Sequence, residues 1–86
     1  MKVRQGKQEI RNKAVIDLDA LYKKLIENSE LYFSNGRMNS EGRKVFEMFA
    51  RVFLQVFPEH KPMIVRIRKQ PTIENFLRVK RLVQSI

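Results

Sequence analysis

Cationic side chains are concentrated near the carboxyl end of this sequence. Residues 61–86 contain one acid, Glu74, and seven Lys or Arg residues: Lys61, Arg66, Arg68, Lys69, Arg78, Lys80 and Arg81. Grouped cations bind phosphate, because their fields add and because a nucleic acid releases condensed counterions when its phosphates are neutralised. We therefore predict a phosphate-binding surface whose primary contacts are Arg66, Arg68, Lys69, Arg78 and Arg81.

A second group of cations lies at the amino end. Residues 1–13 contain five Lys or Arg residues and one acid, whereas acids outnumber bases by one between residues 14 and 60. The net charge of +9 is therefore carried by the two ends, which indicates that the middle is scaffold. We predict that residues 1–12 form a basic arm on a folded body formed by residues 13–86. The auxiliary phosphate contacts of this arm are Lys2, Arg4, Lys7 and Arg11.

Residues suited to catalysis or metal binding are few. The chain has no cysteine and one histidine, His60, which lies in a proline-flanked turn. Asp17 and Asp19 are two residues apart in a predicted helix, so they point to different sides of it. The three glycines form no phosphate-binding loop. We predict that the protein is not an enzyme and has no metal, cofactor or small-molecule substrate.

Apolar periodicity predicts a first helix from residue 12 or 13 to Ser34, with one buried face. It stops at Ser34-Asn35-Gly36, because Asn or Gly adopts the left-handed backbone that closes a helix. Ile16 and Leu31 lie off the apolar face. We expect at least one of them to contact another element or a second subunit.

A second helix is predicted from its cap, Asn39 or Ser40, to about Phe57. Apolar residues cover about two thirds of its circumference, so it is central to the fold, a homodimer contact, or both. Its phenylalanines recur at helical spacing, which is typical of a core rather than of a base-stacking surface. On its polar strip, Glu47 and Arg51 have the i, i+4 spacing of an ion pair.

Residues 63–69 fit two structures. They alternate in polarity like a strand, which would pair with residues 2–5. Pro62 is also suited to the first turn of a short helix that ends before Pro71, and we favour this helix.

Thr72 is a good cap for a last helix that continues to the end of the chain, with Arg78 and Arg81 on its outer face. The whole pattern predicts one all-α domain over residues 1–86. It is a compact bundle of three long helices plus one short helix or strand near residues 63–69.

These features predict a small basic protein that binds nucleic acid through its phosphates, with duplex DNA favoured over RNA. The alternative is a helical module for protein–protein interaction or assembly, in which the positive charge is incidental. In either role we expect a homodimer that does not insert into a membrane. The sequence also predicts a cytoplasmic, unexported protein, because no apolar run has the length of a membrane helix or a signal peptide.

Overall fold

The computed structural model describes the backbone of residues 2–85 and the side chains of residues 13–85. The chain is mainly helical, as predicted. Its helices are α1 (Lys2–Glu27), α2 (Ser29–Tyr32), α3 (Ser40–Val56), α4 (Lys61–Lys69), α5 (Ile73–Leu77) and α6 (Lys80–Gln84). Two short strands, β1 (Phe33–Ser34) and β2 (Arg37–Met38), precede α3, and a 3₁₀ turn (Pro58–His60) precedes α4. Within the described residues, no helix is both long and apolar enough to cross a lipid bilayer.

Helix α1 packs along α3 and forms most of the core with it. The buried face of α1 includes Leu18, Tyr22 and Leu25, as its periodicity predicts, while Ile16 is 68% exposed. The bounds of α1 differ from the prediction, since the helix begins at Lys2 and ends at Glu27. After its end, the side-chain amide of Asn28 donates to the carbonyl oxygen of Lys24 at 3.1 Å.

The segment predicted to end the first helix is instead the tip of a β-hairpin. Phe33 pairs with Met38 and Ser34 pairs with Arg37, so Asn35 and Gly36 form a two-residue loop. Their φ angles are 54° and 79°, the two positive values of a type I′ turn. The expected left-handed backbone is therefore present, but it connects two strands.

The hairpin also holds the start of the last helical segment. The backbone N–H of Met38 donates to the carbonyl oxygen of Pro71, and that of Ile73 donates to Gly36, both at 2.8 Å. Thr72 caps α5 as predicted, since its Oγ1 accepts from the N–H of Asn75 at 3.1 Å.

Helix α3 begins at a cap that the sequence predicts. The Oδ1 of Asn39 accepts from the N–H of Gly42, and its Nδ2 donates to the carbonyl oxygen of Leu31, both at 2.8 Å. Gly42 is buried, and a Cβ at this position would overlap the carbonyl oxygen of Tyr32. Only a glycine lets α3 approach the end of α2 this closely.

Residues 63–69 are helical, which confirms the favoured prediction. Pro62 lies in the first turn of α4, and Ile64 and Ile67 face the core. Residues 2–5, the partner that the strand alternative required, belong to α1.

The last helical segment is broken, whereas the sequence predicts one continuous helix. Arg78 and Val79 form a tight turn between α5 and α6, with the N–H of Val79 donating to the carbonyl oxygen of Phe76 at 3.1 Å. Residues three apart are aligned in such an i→i+3 turn, so Phe76 and Val79 are both fully buried. The centroid of the Phe76 ring lies 5.1 Å from the ring centroid of Phe49 and 5.5 Å from that of Tyr22. Burial raises the pKa of the Tyr22 hydroxyl.

Candidate nucleic-acid interface

Three adjoining depressions lie between α4 and the segment of α5 and α6, and together we call them the basic trough. Its central part, of about 390 Å³, lies between Arg66 and Arg78. One extension, of about 490 Å³, is lined by Lys69, and the other, of about 630 Å³, by Lys80 and Arg81. Arg78 lines all three parts, so it lies at the centre of the trough.

The fold explains why these cations share one surface. Arg66 and Lys69 are three residues apart, so they lie on the same face of α4. Burial of Ile64 and Ile67 turns that face outward. On the opposite side of the trough, the turn that buries Phe76 and Val79 leaves Arg78 exposed between them.

The charges of the trough are available to a ligand. Arg66, Lys69, Arg78, Lys80 and Arg81 are all exposed, and none of them forms an ion pair within residues 13–85. Glu59 is the one acid that lines the central part, where its carboxylate lies 3.9 Å from the Nε2 of His60. The local charge is therefore strongly positive.

Arg68, a predicted primary contact, does not line the trough. Its Nε and Nη2 donate to the two carboxylate oxygens of Glu47 on α3, at 3.0 and 2.9 Å. These hydrogen bonds are the main reason that the pKa of Arg68 is raised; partial burial opposes the rise, and the charge of Glu47 adds to it. The structure thus brings together four of the five predicted primary contacts and pairs the fifth with an acid.

The Glu47–Arg68 pair also replaces a local one. The i, i+4 spacing of Glu47 and Arg51 suggests an ion pair within α3, but the carboxylate of Glu47 is used by Arg68. No pattern of short-range spacing indicates a partner that is 21 residues away.

The predicted contacts of the basic arm lie outside the residues whose side chains the structure describes. They are Lys2, Arg4, Lys7 and Arg11. The backbone of residues 2–12 is the first part of α1.

Several residues of the trough were not predicted. A continuous helix places Lys80 at the edge of its apolar arc, whereas in the structure Lys80 is the exposed first residue of α6. His60, Met63 and Asn75 also line the trough. His60 and Met63 are three residues apart, but Asn75 lies in α5, so only the tertiary structure reveals its proximity to them.

Acidic and histidine side chains do not cluster elsewhere in the described part of the chain. Among those residues, no group of three or more His, Cys, Asp or Glu side chains is arranged to hold a metal ion.

No protein-family model matches the chain. Neither the curated proteins nor the solved structures with which the chain was compared give a match.

Proposed function

We propose that this protein binds nucleic acid through the phosphate backbone, and that the basic trough is the binding surface. The observation that carries this proposal is the position of Arg78 at the centre of a trough with Arg66, Lys69 and Arg81, none of them paired with an acid within residues 13–85. Such a surface attracts a polyanion by the combined field of its cations. Duplex DNA, whose phosphates are regularly spaced, is the simplest partner, and RNA offers the same phosphates. We also propose that the protein acts in the cytoplasm.

The proposed role is binding rather than catalysis, and binding through phosphates makes the affinity depend strongly on salt concentration. Five cations of the trough, each neutralising one phosphate, would give a slope of about −4.5 in a plot of log affinity against log salt concentration. A surface with incidental charge would give a much shallower slope.

The test is titration of a labelled duplex of about 16 base pairs with the protein, followed by fluorescence anisotropy between about 50 and 200 mM salt. The variant Arg66→Ala/Arg78→Ala should bind at least tenfold more weakly, because hydrogen bonds to charged groups contribute about 1.5–3 kcal/mol each. Lys24→Ala/Arg43→Ala is the matched control, since it removes the same charge from exposed positions outside the trough.

Equal weakening by the two double variants would indicate diffuse attraction and would contradict a defined trough. Absence of binding at the lowest salt concentration would reject the proposal altogether. Circular dichroism of each variant establishes that the fold is retained.

A second candidate function is assembly through a homodimer. Most of the apolar circumference of α3 is covered by its own chain, but Met48 is 46% exposed in a shallow groove of about 310 Å³ between α1 and α3. Asp17 and Arg51 also line this groove, so two copies related by a twofold axis would exchange opposite charges. Sedimentation velocity at micromolar concentration tests this: a dimer that Met48→Glu dissociates would support it, and a monomer would contradict it.

A further inference from the structure

We propose that the basic trough holds unpaired nucleotides, so that the preferred partner offers a single-stranded stretch. This inference rests on the proposed function and refines its partner. A fully paired duplex would then be held by its phosphates alone, and more weakly.

Apolar side chains also line the trough, which phosphate binding does not require. Met63 and Ile67 line the central part, and Leu77 and Leu82 line the extension towards α6. Leu77 is 40% exposed although it lies among cations. A duplex keeps its bases stacked inside, whereas an unpaired strand presents base faces that gain from burial against such side chains.

The residues that line the trough include planar groups that suit bases as well as phosphates. Arg66, Arg78 and Arg81 each present a guanidinium, which forms bidentate hydrogen bonds with phosphate and also stacks on aromatic rings. His60 lines both the central part and the extension towards α6. Its ring packs edge-to-face with that of Phe57, with centroids 5.9 Å apart, and this contact restrains an aromatic ring beside the trough.

An oriented amide supplies a contact for a base edge. The Nδ2 of Asn75 donates to the carbonyl oxygen of Gln70 at 2.9 Å, and this bond fixes the orientation of the amide. Its Oδ1 accepts no hydrogen bond from residues 13–85. This amide oxygen can accept a hydrogen bond from an N–H group on the edge of an unpaired base.

The volume of the trough is also large enough for nucleotides. The central part, about 390 Å³, lies within the range of about 300–1,000 Å³ that is typical of small-ligand sites. The two extensions continue on either side of it, so a strand could run past Arg78 with a nucleotide in each part.

An acidic peptide would also be attracted by the cations. Such a peptide would offer no bases for the guanidinium planes to stack on and no base edge for the Asn75 amide to bind. The trough therefore favours a nucleic acid. An acidic peptide is therefore an alternative outcome of the test.

The test compares three labelled probes at the same salt concentration: single-stranded DNA, single-stranded RNA of the same sequence, and the fully paired DNA duplex. We expect a single strand to bind at least about tenfold more tightly than the duplex, because stacking one base on a side chain raises the affinity by about this factor. His60→Ala and Met63→Ser should weaken single-strand binding by about tenfold and change duplex binding by less than about twofold. Arg78→Ala should weaken both.

Leu31→Ser is the control, because Leu31 is 61% exposed and does not line the trough. Equal or tighter binding of the duplex, with no effect of His60→Ala, would overturn this inference and leave the proposed function intact. If no nucleic acid binds but a poly-glutamate peptide does, both proposals are wrong. Thermal unfolding of each variant separates a lost contact from a lost fold.

Discussion

The guanidinium of Arg68 and the carboxylate of Glu47 join α4 to α3 through two parallel hydrogen bonds of 3.0 and 2.9 Å. Both side chains are about half exposed, so solvent screens their attraction. This geometry assigns Arg68 to the packing of α4 rather than to the basic trough. Two side chains with the same charge, Arg66 and Arg68, thus have different surroundings although only one residue separates them.

The first prediction concerns the energy of this pair. A double-mutant cycle of Arg68→Ala and Glu47→Ala should give a coupling free energy of about 0.5–1 kcal/mol, the upper range for an exposed pair with bidentate geometry. Urea denaturation of the four proteins measures it. Arg68→Ala should also weaken nucleic-acid binding less than Arg66→Ala does. An equal loss would place Arg68 among the phosphate contacts after all.

Local signals predicted the elements that depend on nearby residues. The Asn39 cap, the Thr72 cap and the short helix after Pro62 each depend on a few adjacent positions, and all three are present. The left-handed backbone at Asn35 and Gly36 was also indicated, but the hairpin around it was not. A two-residue strand is too short for its alternation of apolar and polar residues to be distinguished from the pattern at the end of an amphipathic helix.

Features that depend on distant contacts could not be predicted. The break between α5 and α6 accompanies the packing of Phe76 against Phe49 of α3 and Tyr22 of α1, contacts that the isolated segment does not show. The separation of Arg68 from the trough depends on Glu47, which lies on another helix. Charge composition therefore predicted four cations that the structure places along one trough, whereas the position of Arg68 required the tertiary structure.

The second prediction concerns Tyr22. Because burial raises the pKa of its hydroxyl above the ordinary value of 10.0, the folded state holds this proton more firmly than the unfolded state. The corresponding stability is fully present below pH 10.0 and is lost as the pH rises through the higher folded value. Tyr22→Phe should make the free energy of unfolding less dependent on pH in that alkaline range.

The chain has two tyrosines, so Tyr32→Phe leaves Tyr22 as the only one. Spectrophotometric titration of this variant should show a tyrosinate midpoint above 10.0 in the folded protein. A midpoint at the ordinary value would mean that water reaches the hydroxyl freely.

The third prediction concerns the contact between Gly42 and the end of α2. A Cβ at this position would overlap the carbonyl oxygen of Tyr32, and a backbone atom cannot move aside as a flexible side chain can. Gly42→Ala should therefore destabilise the protein by about 1–3 kcal/mol, although alanine is the better helix former. Urea denaturation measures the change.

Ser40→Ala, at an exposed position in the same turn, is the control and should change stability little. A stabilising effect of Gly42→Ala would show that α2 and α3 are farther apart than the structure places them.

The last prediction tests whether the hairpin turn supports the trough. Gly36 has a φ of 79° and open space around it, so a side chain would meet no neighbour but would strain the backbone. Gly36→Ala should cost about 1–2 kcal/mol, and Gly36→Asn less, because Asn tolerates the left-handed region. The Gly36 carbonyl also accepts from Ile73, so a distorted turn should loosen the start of α5. Hydrogen exchange should then be faster at the Ile73 amide in Gly36→Ala than in Gly36→Asn. Equal exchange in the two variants would mean that the hairpin and the Arg78 side of the trough are independent.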